Sequence, residues 1–127
     1  HGTLDSPDLF DYIQTSYDAH LSLERLETRV CFIGHSHVPV AFLQSEDAIT
    51  YSTDAHVDLL PVVKSIVNVG SVGQPRDGNP NASFATFDLV TEQVELHRIP
   101  YDLAATQEKI MEAGLPEFLA ERLAVGR

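Results

Sequence analysis

The sequence predicts a layered α/β or α+β sandwich, and the order of its apolar patterns is the reason. Helical spacing of apolar residues appears near both ends of the chain, and several short apolar runs of strand length lie between them. The first run, Val30–Ile33, is continuously apolar, which is typical of a strand covered on both faces. Helix, buried strand, further strands and final helix fit stacked layers better than a helix bundle or an all-β barrel.

The segment before this strand is predicted to hold two helices. Ser6-Pro7 suits a helix start, because serine caps the first turn and proline fits the first helical position. Thr15 followed by Asp18 resembles a capping box and marks a second start. We therefore expect helix over residues 4–14 and again over residues 15–27.

The middle of the chain is predicted to be a succession of strands. Apolar runs at 39–43 and 48–52 flank a polar turn, and 62–69 reads as another buried strand, whereas 53–60 is ambiguous. Residues 74–81 are dense in Pro, Gly, Asn and Asp, which predicts a loop.

The last third is predicted to be a hairpin followed by helices. Residues 83–89 and 93–100 form the hairpin, and the second run alternates apolar and polar residues as a half-exposed strand does. Residues 102–112 and 116–123 are expected to be helical, separated by a glycine.

Composition narrows the possible partners and compartments. The 127 residues are enough for one domain, and a formal net charge of −11 argues against binding to nucleic acid or anionic membranes. No apolar run is long enough to span a bilayer. The single Cys31 is expected to be a small buried residue in a reducing compartment, which points to the cytoplasm. The chain lacks a Met start and a basic leader, so residue 1 is expected to be a processing or cleavage boundary.

Two histidines separated by one residue follow the first strand. His35 and His37 come directly after Gly34, and imidazole is a common transition-metal ligand. On an extended segment an H-x-H pair lies on one face with its Cα atoms about 7 Å apart, which suits one metal ion or two. By itself, the pair is as consistent with chance placement in a loop as with metal binding.

The motifs around the pair resemble those of calcineurin-like metallophosphoesterases, most closely the small bacterial phosphodiesterase and protein-phosphatase-like members. They are H-G at His1, G-H-S-H-V-P after the strand, and N-V-G-S-V-G-Q-P-R-D beginning at Asn68. The resemblance covers nearly the whole chain, from His1 to Pro100. It implies that residues 1–127 are a single domain, the C-terminal portion of a four-layer αββα sandwich with a dinuclear metal site at the sheet edge.

The same resemblance implies the site residues and the metals. The histidines matching His1 and His35 bind one metal in that family, and the one matching His37 binds the other. The cofactor would be two divalent transition metal ions, with Mn, Fe, Zn and Ni all compatible with imidazole-rich sites. The D-x-H, G-D-x-x-D and G-N-H-D/E motifs of the family are absent as a set: the last two do not occur, and the D-x-H triplets at 18–20 and 54–56 stand without them. We therefore expect the 127-residue chain alone to be inactive, with partial or no metal occupancy.

Other polar residues have competing interpretations. Arg76 is a candidate substrate contact, since guanidinium suits phosphate, but it equally fits a solvent-facing residue or a salt bridge to Asp77. Asn68 and Ser71 are candidates for orienting the metal ligands, although turn-forming roles are favoured.

Aromatic residues and the remaining histidines receive structural interpretations. The histidines without a ligand-like neighbour are predicted to be surface or packing residues, namely His20, His56 and His97. Three aromatic residues of the N-terminal segment are predicted to lie in the core rather than to form a substrate platform, namely Phe10, Tyr12 and Tyr17.

The predicted function is metal-dependent hydrolysis of a phosphomonoester or phosphodiester, with this chain supplying part of the site. The expected substrate is a phosphorylated small molecule or a phosphoprotein. Exposed sheet edges are expected to pair with a missing N-terminal half or with a second copy. The alternative is a non-catalytic metal-binding or protein-interaction module of the same fold.

Overall fold

The computed structural model describes residues 1–127 as two β-sheets with three α-helices. The strands are β1 (Val30–Ile33), β2 (Val40–Gln44), β3 (Ile49–Ser52), β4 (His56–Asp58), β5 (Lys64–Asn68), β6 (Ala82–Asp88) and β7 (Gln93–Ile99). The helices are α1 (Ser16–Arg25), α2 (Leu103–Glu112) and α3 (Glu117–Glu121), with 3-10 turns at Pro7–Leu9 and Arg122–Val125. The predicted α/β layered class is confirmed.

The two sheets differ in strand direction. The larger sheet has the order β1-β5-β2-β3, in which β5 runs parallel to β1 and antiparallel to β2. The smaller sheet has the order β4-β7-β6 and is antiparallel throughout. Because β1 and β5 are parallel, both deliver their carboxyl ends, and the loops that follow, to one edge of the larger sheet.

Neighbouring residues of β2 and β5 build two separate cores, because side chains alternate between the faces of a strand. Phe42 and Ile66 face α1 and pack in one buried cluster with Leu23. Ala41 and Val67 face the smaller sheet in a second cluster. The larger sheet is therefore the middle layer, with α1 on one side and the smaller sheet on the other.

The helix α1 begins as its sequence predicts. Thr15 Oγ1 accepts a hydrogen bond from the Asp18 amide at 3.2 Å, and the Asp18 carboxylate accepts one from the Thr15 amide at 2.9 Å. This reciprocal capping box satisfies two amides that the first turn would otherwise leave unpaired.

The predicted helix over 4–14 is wrong, because only the 3-10 turn Pro7–Leu9 forms there. Ser6 makes no capping bond, and Phe10 ends the turn in the left-handed region at φ 53°. Ser22 of α1 instead holds the segment, since its hydroxyl accepts from the Leu4 amide and donates to the Asp5 carboxylate. These tertiary bonds outweigh the local helix signal.

Strand β1 is less covered than predicted. Phe32 is 41% exposed, and its ring centroid lies 5.6 Å from that of Phe87 on β6. Since β1 and β6 are the outer strands of their sheets, this contact places both free edges on one side of the sandwich. Cys31 is half-buried and unpaired, and burial raises the pKa of its thiol.

The C-terminal helices form a hairpin that is fastened to the loop over 74–81. Helix α2 buries none of its residues, whereas Ala120 and Leu123 beyond it are buried. Gly78 donates its amide to the Gly126 carbonyl at 3.0 Å. None of the helices combines the length and the apolar character needed to cross a bilayer.

Candidate metal centre

The predicted site residues lie at the edge where the parallel strands β1 and β5 end. His35 and His37 follow β1, and Asn68 is the last residue of β5. The loop after β5 then returns to this edge, since the Arg76 amide donates to the His37 carbonyl at 3.1 Å. Carboxyl ends of parallel strands are a frequent place for functional loops.

The H-x-H segment is bent rather than extended. The Ser36 amide donates to the Gly34 carbonyl at 2.8 Å, which closes a three-residue turn around His35. His35 has φ 65° and His37 has φ 61°, so both lie in the left-handed region. The prediction that an extended strand places both imidazoles on one face is therefore wrong.

Asn68 holds this turn in place from the neighbouring strand. Its side-chain nitrogen Nδ2 donates to the Gly34 carbonyl at 2.5 Å and to Ser36 Oγ at 2.8 Å. The side-chain oxygen Oδ1 accepts from the Gly70 amide at 2.9 Å. The side chain is fully buried. Ser71 Oγ, by contrast, accepts from the amides of its own loop, which is the turn-forming role favoured for it.

His37 is held in a single tautomer. Its Nδ1 lies 2.7 Å from the Gln74 carbonyl oxygen, and because a carbonyl only accepts, Nδ1 carries the proton and Nε2 has a free lone pair. Burial is the largest cause of the lowered pKa of His37, and positive charge at Arg76, His35 and Arg122 lowers this pKa further. The hydrogen bond to the Gln74 carbonyl raises the pKa but does not outweigh these effects. The ring is therefore neutral at neutral pH.

His1 and His35 lie side by side in the structure. Their ring centroids are 5.0 Å apart in an edge-to-face arrangement, and the His1 carbonyl accepts from the Gly34 amide at 3.1 Å. The Tyr12 ring stacks on His35 with centroids 4.3 Å apart. The sequence reasoning missed this contact, because nothing in the spacing of Tyr12 links it to the histidine motif.

The aromatic residues of the N-terminal segment are exposed rather than buried. Phe10 is 58% exposed, Tyr12 44% and Tyr17 70%, so their predicted place in the core is wrong. Phe10 and Tyr12 border His35, whereas Tyr17 lies in the first turn of α1.

Imidazole is a suitable ligand for a transition metal, but too few ligands are grouped here to form a complete metal site. No group of three or more His, Cys, Asp or Glu side chains in the chain is arranged to hold one ion. Structural and catalytic metal sites use three or four protein ligands as a rule. The edge therefore carries the donor type of a transition-metal site without a complete set of ligands.

Arg76 is anchored by polar contacts other than the predicted salt bridge. Its Nη2 donates to Gln74 Oε1 at 2.8 Å, and its Nε is buried without a partner. Asp77 pairs with Arg98 instead. The positive charge of Arg122 also lowers the pKa of His37. The sequence reasoning missed this effect, because Arg122 stands 46 positions beyond Arg76 in a helical segment without a motif.

The remaining histidines are surface or packing residues, as predicted. His20 is exposed on α1, where its Nε2 lies 3.4 Å from a Glu24 carboxylate oxygen. His97 of β7 stacks on Phe84, and His56 is exposed on β4.

Comparisons with known proteins found one sequence relative and two structures similar to this chain. No protein-family model matches the chain. An uncharacterised protein of Methanocaldococcus jannaschii is 43% identical over 96 residues, which cover 76% of this chain and 39% of that protein. The crystal structure of a metallophosphoesterase from Sphaerobacter thermophilus superposes with a TM-score of 0.87 at 40% identity, covering all of this chain and 53% of the other.

A more distant structure shares the fold alone. A hypothetical protein of Pyrococcus horikoshii superposes with a TM-score of 0.69 at 20% identity, and all of this chain matches 45% of it. The chain thus spans about half the length, or less, of the relatives that it matches.

Proposed function

The chain belongs to the calcineurin-like metallophosphoesterases and carries part of such a domain, and from this premise we propose a function. The chain supplies part of a two-metal site, and the complete site hydrolyses a phosphomonoester or a phosphodiester. The observation that carries the proposal is His37, a neutral imidazole whose Nδ1 proton is engaged by the Gln74 carbonyl. Ligating histidines almost always donate their second ring N–H in this way, which fixes the tautomer and the ring orientation.

His1 and His35 are the proposed ligands of one ion, and His37 is a ligand of the other. When bound, two divalent ions polarise the phosphoryl group and lower the pKa of water that attacks it. Mn, Fe, Zn and Ni all suit imidazole ligands. Tyr12 fixes the His35 ring by stacking, Asn68 fixes the turn, and Arg76 offers its guanidinium to the phosphate oxygens.

The chain alone is proposed to be inactive. The G-D-x-x-D and G-N-H-D/E motifs are absent from the sequence, and the imidazoles are too few for a complete dinuclear site. The two D-x-H triplets, at 18–20 and 54–56, lie on α1 and at the start of β4, away from the histidine motif. The remaining ligands would come from a further polypeptide segment, in the cytoplasm, and the substrate would be a phosphorylated small molecule or a phosphoprotein.

A non-catalytic metal-binding or protein-interaction module is the second candidate. The same shortage of ligands favours it, since a scaffold of this fold needs no complete metal site. Metal binding by the histidine motif argues against a module that only binds proteins, because such a module has no need of a neutral, oriented imidazole. A non-catalytic metal-binding module is separated by activity: His37→Ala would abolish hydrolysis only in an enzyme assembled with its missing segment.

Metal content of the purified chain tests the proposal. We expect the chain to retain Mn²⁺ or Zn²⁺ in equilibrium dialysis, and His37→Ala to weaken binding at least tenfold, because a ligand is lost. His56→Ala is the matched control, since His56 is an exposed histidine on β4. Equal metal binding by wild type and His37→Ala would refute the assignment, and robust metal-dependent phosphodiesterase activity of the chain alone would refute its inactivity.

A further inference from the structure

A cavity of about 510 Å³, here called the α1–β3 cavity, lies between the N-terminal end of α1 and the hairpin of β2 and β3. Five of its ten lining residues are hydrophobic and none is charged, although the chain has a formal net charge of −11. Small-molecule sites are about 300–1,000 Å³ in size and are mostly apolar with a few polar groups. The α1–β3 cavity therefore suits an uncharged organic group better than an ion.

The floor and the rim of the cavity are aromatic. Phe42 of β2 pairs with Tyr51 of β3, and paired residues of neighbouring strands lie on the same face of a sheet. This is the face that packs against α1, because Phe42 belongs to the core cluster of that helix. Phe42 is 2% exposed, whereas Tyr51 is 68% exposed. An exposed ring at the rim of an apolar cavity favours a ligand that covers it, and aromatic groups do so with a specific geometry.

Two chain segments connect the cavity to the candidate metal centre. Ser36 lines the cavity and stands between His35 and His37. Ile13 lines it as well, and the adjacent Tyr12 stacks on the His35 ring with centroids 4.3 Å apart. Each segment passes from the wall of the cavity to this stacked pair within one residue. The α1–β3 cavity therefore adjoins the candidate metal centre.

The cavity lies away from the free edge of β1. Its sheet residues belong to β2 and β3, or follow β3 directly, and β3 is the edge strand opposite β1 in the larger sheet. Strand β1 meets β6 on the other side through Phe32 and Phe87. A further polypeptide segment that pairs with β1 would leave the α1–β3 cavity accessible, so a small molecule is the occupant to consider.

We propose that the α1–β3 cavity holds the uncharged, aromatic alcohol part of the phosphoester while its phosphate lies at the histidines, with Tyr51 as a specificity-determining residue. This inference rests on the proposed function and narrows its substrates to esters of an uncharged aromatic alcohol. A charged alcohol part would lose its hydration in the cavity without gaining an opposite charge, because no lining residue carries one.

Titration of the metal-free chain with phenol tests the cavity by itself. Phenol is added to the EDTA-treated, ¹⁵N-labelled chain, and we expect saturable shifts of backbone amide signals that concentrate at the lining residues. Tyr51→Ala should weaken phenol binding about threefold to tenfold, the loss expected when one aromatic pair is removed. Thr53→Trp, at the exposed end of the cavity, should abolish saturable binding because its own ring occupies the space.

A second exposed tyrosine supplies the matched control. Tyr17 is 70% exposed in the first turn of α1 and does not line the cavity. Tyr17→Ala removes the same side chain as Tyr51→Ala and should bind phenol like wild type. Thermal unfolding establishes that each variant is folded.

Two phosphate esters test the connection to the metal centre. Phenyl phosphate and methyl phosphate carry the same phosphate group, and only the first carries a ring. With Zn²⁺ bound to the chain, phenyl phosphate should bind about tenfold more tightly in calorimetric titrations, because burial of the ring adds to the phosphate contacts. Tyr51→Ala should remove most of this difference and leave methyl phosphate binding within about twofold of wild type.

Three outcomes would overturn the assignment of the cavity. They are no saturable phenol shifts at the lining residues, equal losses in Tyr51→Ala and Tyr17→Ala, and equal binding of the two esters by the Zn²⁺-loaded chain. None of these alters the metal measurement on His37→Ala, so the cavity assignment can fail while the proposed function stands. Equal metal binding by wild type and His37→Ala would instead refute the proposed function, and this inference with it, whatever the result with phenol.

Discussion

His35 and His37 hold left-handed backbone conformations, and their neighbours make these conformations tolerable. Each such residue costs on the order of 1–3 kcal/mol unless the surroundings enforce it. The enforcing contact is the Asn68 amide, which bonds both the Gly34 carbonyl and the Ser36 hydroxyl from the end of β5. At the scale of single residues, one buried amide therefore sets the shape of the candidate metal centre.

Replacing Asn68 with alanine should destabilise the protein by about 2–4 kcal/mol, because it leaves the Gly70 amide without a partner and removes the bonds to the Gly34 carbonyl and the Ser36 hydroxyl. Chemical denaturation measures this loss. Asn79→Ala is the control, since its side chain accepts a single amide bond, from Asn81, in a surface loop, and it should cost less than 1 kcal/mol. Similar losses in the two variants would contradict the role given to Asn68.

The sequence could name candidate residues for the centre but could not predict their conformation. The motif G-H-S-H names its members because they are adjacent in the chain. Their backbone angles depend on Asn68, which is 34 residues from Gly34, and on the stacking of Tyr12 upon His35. Contacts between residues so far apart in the chain produce no periodic pattern in the sequence. The effect of Arg122 on His37 could not be predicted for the same reason.

Among the helices, local signals succeeded where both partners of a contact are close in sequence. Thr15 and Asp18 are three residues apart and cap α1 as predicted. Ser6 carries an equally good local signal, but Ser22 of α1 holds the neighbouring Leu4 and Asp5, and no helix forms. Strands β2 and β5 were predicted within two residues of their ends, because their apolar runs are long enough to define them.

The cap of α1 gives a pH-dependent prediction. Burial alone would raise the pKa of Asp18, but hydrogen bonds from Gln14 and Thr15 outweigh it and hold the pKa below its ordinary value of 3.8. The cap therefore stabilises the fold above that pH and loses its effect as pH falls through the lowered pKa. Asp18→Ala should cost about 1 kcal/mol at neutral pH in urea unfolding.

The difference between wild type and Asp18→Ala should shrink as pH falls through the lowered pKa of Asp18 and vanish once the carboxylate of the folded protein is protonated. Asp8→Ala removes the same charge from the exposed 3-10 turn and should change stability by less than 0.5 kcal/mol at either pH. A pH-independent loss in Asp18→Ala would show that the carboxylate charge is not what caps α1.

At the scale of the whole molecule, one side of the sandwich is open. Strands β1 and β6 are the outer strands of their sheets and meet there through Phe32 and Phe87. An outer strand offers unpaired backbone groups to any further strand. The His1 carbonyl already bonds the Gly34 amide just beyond β1. The metallophosphoesterase of Sphaerobacter thermophilus carries nearly as much polypeptide again as the part that this chain matches.

A strand added at this open side would also bring ligands toward His1 and His35, since Gly34 lies at the end of the same β1 edge. We therefore expect the segment of the Sphaerobacter protein outside the matched region to bind this chain when the two are refolded together. The complex should be one-to-one by light scattering and should hydrolyse bis(p-nitrophenyl) phosphate with added Mn²⁺, which neither piece does alone.

The site of binding can be tested with one substitution on each edge of the larger sheet. Phe32→Arg places a charge on β1 and should weaken the complex at least tenfold, because burying an unpaired charge at an interface is costly. Tyr51→Arg makes a matched change on β3 at the opposite edge, where Tyr51 is also exposed, and should leave the complex intact. A complex sensitive to Tyr51→Arg instead would place the partner on β3. Dimers of this chain that Phe32→Arg abolishes would assign the open side to self-association, because a second copy would then occupy the β1 edge.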